Sequence, residues 1–200
     1  MFCQAKEAPI DPQSDSSPQS ARPLLGLLIA QFCGAFNDNA WKFMVALLGI
    51  RAVTTTLAPG QDLEAASQTQ TTLAMVVFTL PLVLTSFVAG FFADRLSKRT
   101  VIITMKAVEV LLMAGATLAL LSHPTGGPWA LVMLACMGVH SALFSPAKYG
   151  ILPELLPHTH LARGNSILEL FTFLAILTGT TAGGFLLAGA GAQPWLAPLA

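Results

Sequence analysis

The chain has 200 residues; 10% are charged and 54% apolar, and its ten basic and ten acidic side chains cancel. A soluble domain carries about 25% charged residues, so the composition excludes an ordinary water-soluble globule. The neutral balance gives no reason to expect nucleic acid as a partner, and charges gathered between long apolar runs suit a chain whose solvent is lipid.

Residues 1–22 are polar and rich in Pro and Ser, with no apolar core of a signal peptide. They are expected to form a disordered cytoplasmic tail ahead of a transmembrane lobe over 23–200. The first apolar run, 24–50, is interrupted by Asn37-Asp38-Asn39 and Lys42. Residues 51–72, with Pro59-Gly60, Asp62 and Glu64, are expected to be a loop. The run 73–93 carries no charge over 21 residues, enough to cross a ~30 Å hydrocarbon core. Pro81 inside it is compatible with a membrane helix, where neighbours re-satisfy the freed carbonyl. A tight charged turn at 94–99 leads to a third run, 100–121, carrying Lys106 and Glu109. An uncharged turn at 123–128 precedes a fourth run, 129–144. Residues 145–164 form a longer connection with Pro146, Pro153 and Pro157, and 167–190 is the fifth run. Another apolar segment opens at Pro194-Trp195 and stops at Ala200. The expected architecture is all-α and membrane-embedded: five complete transmembrane helices, the start of a sixth, and hence a fragment.

Loop basic residues mark the cytoplasmic side. With the tail inside, that side holds Lys6, Arg22, Arg95, Lys98, Arg99, Lys148 and Arg163, against Arg51 alone opposite. This asymmetry predicts a cytoplasmic N-terminus.

Ionisable groups within spans are costly, about 2.5–3.5 kcal/mol even on insertion scales, and so draw a functional reading. Asp38 and Lys42 are four apart on one helix face, with Asn37 and Asn39 flanking the acid. They read either as a polar patch facing a cavity, binding a headgroup or relaying protons, or as an ion pair fixing helix contacts. Lys106 and Glu109, three apart, are neighbours on the third span and admit the same two readings. Glu169, near the start of the fifth, reads as a structural or gating contact.

In the segment 145–155, Pro146 and Pro153 are expected to break the helix, and Gly150 permits positive φ. Lys148 and Glu154 then sit at the membrane edge, where a phosphate or a lipid headgroup is met; the alternative is an interfacial elbow anchored by Tyr149. Gly179 and Gly183 are four apart with Gly184 adjacent, a spacing that lets helices approach closely. Cys3, Cys33 and Cys136 are isolated, and His158 and His160 lack a third ligand nearby, so neither set predicts a disulfide framework or metal site.

Gly90, with Ala93-Asp94-Arg95-Leu96-Ser97-Lys98-Arg99 after it, resembles the signature loop of the major facilitator superfamily, with Ser97 where Gly is commoner. That resemblance implies gating roles for Gly90, Asp94, Arg95, Lys98 and Arg99. The segments 30–39, 93–98 with Lys106 and Glu109, 145–155, and 164–166 with Glu169 resemble more narrowly the bacterial lysophospholipid transporters. They equally resemble the transport module of fused proteins that continue into an acyltransferase and an acyl-acyl-carrier-protein synthetase. The resemblance implies the N-terminal lobe of a two-lobe alternating-access carrier in the bacterial inner membrane, completed by a C-terminal lobe of the same protein. It also implies lysophospholipid as substrate, membrane lipid around it and no cofactor. Asn37, Asp38, Asn39 and Lys42, seconded by Lys106 and Glu109, are the expected headgroup contacts. Lys148, Glu154 and Glu169 join the gating set. A facilitator carrier for another small molecule would show the same gating loop.

Overall fold

The computed structural model describes residues 21–189 apart from 57, 59 and 61, and leaves the side chains of 21 and 92–94 undescribed. The expected tail and the opening of a sixth span therefore lie largely or wholly outside the described residues. Those described are helical: α1 (Ala21–Thr56), α2 (Leu63–Arg95), α3 (Lys98–Ser122), α4 (Gly127–Gly150), a single turn α5 (Leu152–Leu155), a 3₁₀ turn (His158–His160) and α6 (Leu161–Gly189).

Four helical segments are long and apolar enough to cross a membrane, namely Leu63–Phe91, Lys98–Ser122, Gly127–Leu155 and His158–Gly189. The expected count of five such spans is thus corrected to four. The fifth long helix, α1, has 36 residues, about 54 Å at 1.5 Å per residue. Gln31, Asn37, Asp38, Asn39 and Lys42 in its centre make it too polar to count. Outward-facing Phe87, Val110, Leu111, Leu177 and Phe185 are exposed, the surface of a bundle solvated by lipid rather than water.

The 51–72 region is mostly helix, not loop. α1 runs on to Thr56 and α2 starts at Leu63, because polarity there marks the edge of the apolar run and does not oppose helix. Asp62 caps α2, its Oδ1 accepting from Glu64 N at 2.9 Å and Ala65 N at 3.3 Å. The 94–99 turn is likewise shorter than expected. α2 reaches Arg95 and α3 begins at Lys98, with Ser97 Oγ accepting from Thr100 N at 3.3 Å. Ser at 97 is therefore an N-cap, the physical reason a residue other than Gly serves there. The α3–α4 turn does need glycine, since Gly126 (φ 95°) and Gly127 (φ 77°) are left-handed.

Two expectations for 145–155 fail. Pro146 lies inside α4, which continues to Gly150, as Pro81 lies inside α2. The chain bends only at Ile151, before Pro153 in the first turn of α5. Gly150 is not among the glycines of positive φ. It makes room instead: a Cβ there would lie 3.0 Å from Lys98 Cε.

α1 packs most extensively on α6, and α2 on α4. Both seams rely on glycine. A Cβ at Gly183 would lie 2.6 Å from the Ala40 carbonyl oxygen, and one at Gly179 would strike that of Phe36. Gly138 of α4 meets the Phe78 carbonyl of α2 in the same way. Two apolar clusters result. One joins Trp41, Met44, Phe78, Leu120, Leu134, Met137 and Leu187. The other joins Leu27, Leu28, Leu152 and Leu168. On α1 the residues between them are Ile29–Ala40, which hold Gln31, Asn37, Asp38 and Asn39.

Candidate functional site

On α1, Gln31, Gly34, Asp38 and Lys42 recur every three or four residues, so they share one face. On α4 the same spacing aligns Ser141, Ser145 and Lys148. These two faces, with Phe78 and Leu82 of α2, Lys106 of α3 and Thr172 of α6, line a half-open cavity of ≈220 Å³.

Ser141 Oγ donates to Asp38 Oδ2 and ties α4 to α1 at the cavity wall. Asp38 and Lys42 form no ion pair; Lys42 Nζ rests 4.3 Å from the Phe78 ring centroid instead. The ion pair that one reading expected is not formed, and both residues line the cavity. Lys106 and Glu109 do pair, at 2.6 Å. Glu109 also accepts from Asn37 Nδ2 at 3.3 Å, so the pair links α3 to α1. Lys106 points inward and lies 4.9 Å from the Phe144 ring. Gly34 is where it fits, a Cβ there falling 2.7 Å from Lys106 Nζ. Asn39 lines the cavity but gives its amide to its own helix, Asn39 Nδ2 donating to Ala35 O at 2.6 Å.

The expected gating residues disperse. Lys98 pairs with Glu154 at 2.7 Å, joining α3 to α5 at one end of the bundle. Arg95 lies over Phe91 at 4.2 Å. Arg99 is exposed and, with Arg22, flanks a separate groove of ≈630 Å³. A Cβ at Gly90 would meet nothing within 4 Å. The side chain of Asp94 lies outside the described residues. Glu169 accepts from Tyr149 Oη, joining α6 to α4. Lys148 is the exception: at 9% exposure it is buried in the cavity wall. It leans on the Tyr149 ring at 4.7 Å.

The sequence reading passed over four polar residues. Gln31 Nε2 donates to Thr172 Oγ1 at 2.8 Å, pinning α1 to α6. His140, buried, meets the Met105 carbonyl at 2.8 Å through Nε2; a carbonyl only accepts, so that nitrogen carries the proton. Ser141 is the fourth. Uncharged polar residues inside apolar runs gave no charge signal, but their helical spacing with Asp38 and Lys148 was there to be read. Among the described residues no group of three or more His, Cys, Asp or Glu could hold a metal ion.

Long apolar helices with exposed apolar flanks, packed through glycine seams beside a polar cavity, define a polytopic membrane protein. Residues 24–199 match the family model of the Major Facilitator Superfamily, and the chain belongs to that family. It is similar to the lysophospholipid transporter LplT of Photorhabdus laumondii, 34% identical over 169 residues, 84% of this chain and 37% of the relative. The proteins of the same name from Pectobacterium carotovorum (36% identical, 86% of this chain and 37% of the relative) and Cronobacter sakazakii (34%, 88% and 39%) are similar too. The chain thus spans well under half the length of these relatives. No solved structure matches it.

Proposed function

We propose that the chain is the N-terminal transmembrane lobe, residues 23–200 behind a cytoplasmic tail, of a carrier moving lysophospholipid across the bacterial inner membrane by alternating access. The whole carrier requires a C-terminal lobe to close the site. The observation that supports this best is the cavity bearing Asp38, Lys42 and Lys148 between α1 and α4. It offers both signs of charge to a headgroup, beside uncharged polar groups of Gln31, Asn39, Ser141, Ser145 and Thr172, the kind of polar site expected inside a membrane only where it serves a function. Its ≈220 Å³ suits a headgroup and excludes a long acyl chain, which must stay in an apolar path. Asp38 is the assigned cation-binding group and Asn37, Asn39, Lys106 and Glu109 its supporting frame. Lys98, Glu154, Arg95, Arg99 and Glu169 are assigned to the cytoplasmic gate, with the N-terminus on that side. The lobe carries transport, and no catalytic step is assigned to it.

The test is lysophosphatidylethanolamine flipping in vesicles holding the full-length protein. Asp38→Ala should abolish flipping while the protein stays monodisperse; undiminished flipping by that variant refutes the assignment.

A further inference from the structure

The charges of the chamber do not cancel in place. Glu109 is taken by Lys106 at 2.6 Å, while Asp38 accepts from the neutral Ser141 hydroxyl and keeps its charge. Lys42 and Lys148 both line the chamber, yet neither forms an ion pair among the described residues. Each ammonium rests instead on an aromatic face, Phe78 at 4.3 Å and Tyr149 at 4.7 Å. Such contacts hold a cation weakly enough to release it to an anion. Lys148 does so at 9% exposure, where Glu169 and Asp38 act on it through space without an ion pair and a buried ammonium still gains from a closer anion.

Their positions along the chamber differ. α1 and α4 run antiparallel, since Leu48 of α1 touches Gly126 at the start of α4, while Leu28 of α1 clusters with Leu152 just past its end. The Ser141–Asp38 bond sets the two helices level. From that level Lys42 lies four residues along α1 toward the Leu48 end, about 6 Å at 1.5 Å per residue. Lys148 lies seven residues along α4 toward the Leu28 end, about 10 Å. The two lysine backbones are therefore about 16 Å apart along the axis, with the Asp38 carboxylate between them. A phosphate can rest on both at once only if both ammoniums leave Phe78 and Tyr149 and swing toward Asp38. The order along the chamber is cation, anion, cation.

We propose that Lys42 and Lys148 are two phosphate stations at opposite ends of the chamber. The headgroup phosphate occupies them in turn, while Asp38 between them attracts the headgroup cation. This rests on the reading of the chamber as the lysophospholipid site. It adds that the anion has two places in this one lobe, so binding and passage depend on the lysines differently. Either station alone still holds a phosphate; passage needs both.

The experiment uses full-length protein in nanodiscs and vesicles, wild type, Lys42→Gln, Lys148→Gln and the double variant. Two probes are compared, lysophosphatidylethanolamine and a monoacylglycerol of the same chain, which keeps the tail and glycerol but lacks phosphate. Each single variant should bind lysophosphatidylethanolamine within about twofold of wild type, half the bound population surviving, yet lose flipping at least about tenfold. The double variant should lose about tenfold or more in affinity, the worth of a charge-assisted hydrogen bond, and its preference over monoacylglycerol. A single variant that flips at the wild-type rate, or that alone removes the whole preference, overturns the two stations. A wild type without preference for the phosphate-bearing probe refutes the underlying reading instead. Should the variants misfold, reductive methylation of wild type decides: lysophosphatidylethanolamine, not monoacylglycerol, should slow labelling of both amines. Protection of neither, or of one only, overturns the proposal.

Discussion

The α1–α6 seam gives the most direct test of the architecture. Replacing Gly183 by Ala places a methyl 2.6 Å from the Ala40 carbonyl oxygen and 3.0 Å from Ala40 Cα. Carbon atoms rest at about 3.5–4.0 Å, so the two backbones must separate by up to about 1 Å. Neither neighbour is a flexible side-chain end, and the strain cannot be relieved by a rotamer change. Overpacking of this kind costs about 1–3 kcal/mol. Against it stands a gain of about 1 kcal/mol from removing a helical glycine. Gly26 and Gly90 supply the control, since a Cβ at either meets nothing within 4 Å; there Ala should show the gain alone. Gly183→Ala should therefore fall about 1–3 kcal/mol below Gly26→Ala. Gly179→Ala, aimed at the Phe36 carbonyl, should behave like Gly183→Ala. The double variant should cost less than the sum, because one displacement of α1 relieves both clashes. The assay is the monodisperse fraction of full-length protein after heating in detergent. Gly183→Ala melting with Gly26→Ala would refute the close seam. Since Asp38 lies between Phe36 and Ala40, the shifted variant should also bind headgroup less well.

Other substitutions separate the polar contacts by burial. Glu109→Gln strands Lys106, whose side chain is 25% exposed, and should cost toward the low end of the about 3–5 kcal/mol seen when a buried pair loses one partner. Lys106→Met with Glu109→Leu should recover most of it, as thermal unfolding of the same full-length protein would show. Lys98→Ala should cost under about 1 kcal/mol and lose even that in high salt, because its pair with Glu154 is exposed. Gln31→Leu removes the 2.8 Å bond to Thr172 and should destabilise by about 1 kcal/mol, with Thr172→Val adding little once Gln31 is gone; a full second loss would place Thr172 in some other contact.

What the sequence made legible was charge out of place. Asp38, Lys42, Lys106 and Glu109 stood out because each interrupts an apolar run, and the structure brings them to one chamber or its wall. Their partners were harder to see. Ser141, Thr172 and Gln31 are residues that many membrane helices carry without function, and only the register between helices shows that Ser141 faces Asp38. Lys148 was visible, but its burial was not. Pro146, two residues before it, reads locally as a breaker, yet the bundle carries the helix through it to Gly150, and that continuation sets Lys148 on the face of α4 that lines the chamber. The error is one of scale: a proline's local preference is about 3 kcal/mol, and a packed seam such as Gly138 on Phe78 can outweigh it.

The glycines carry the same lesson to the site itself. Gly34 has no chemistry and sits beside no turn, but a side chain there would occupy the place of Lys106 Nζ. Gly179 and Gly183 draw α1 against α6 along the stretch that holds Asn37, Asp38 and Asn39. Polar residues at mid-membrane are tolerated only when their partners are held at hydrogen-bond distance, and partners on four different helices can be so held only if the backbones approach closely. The small residues and the charged ones are thus two halves of a single requirement. A charge-conserving change such as Asp38→Glu tests that dependence: one added methylene in a chamber of ≈220 Å³ should displace the Ser141 bond and lower headgroup affinity although the carboxylate remains. Equal binding by Asp38→Glu would mean that the chamber supplies charge alone and that its fixed geometry is immaterial.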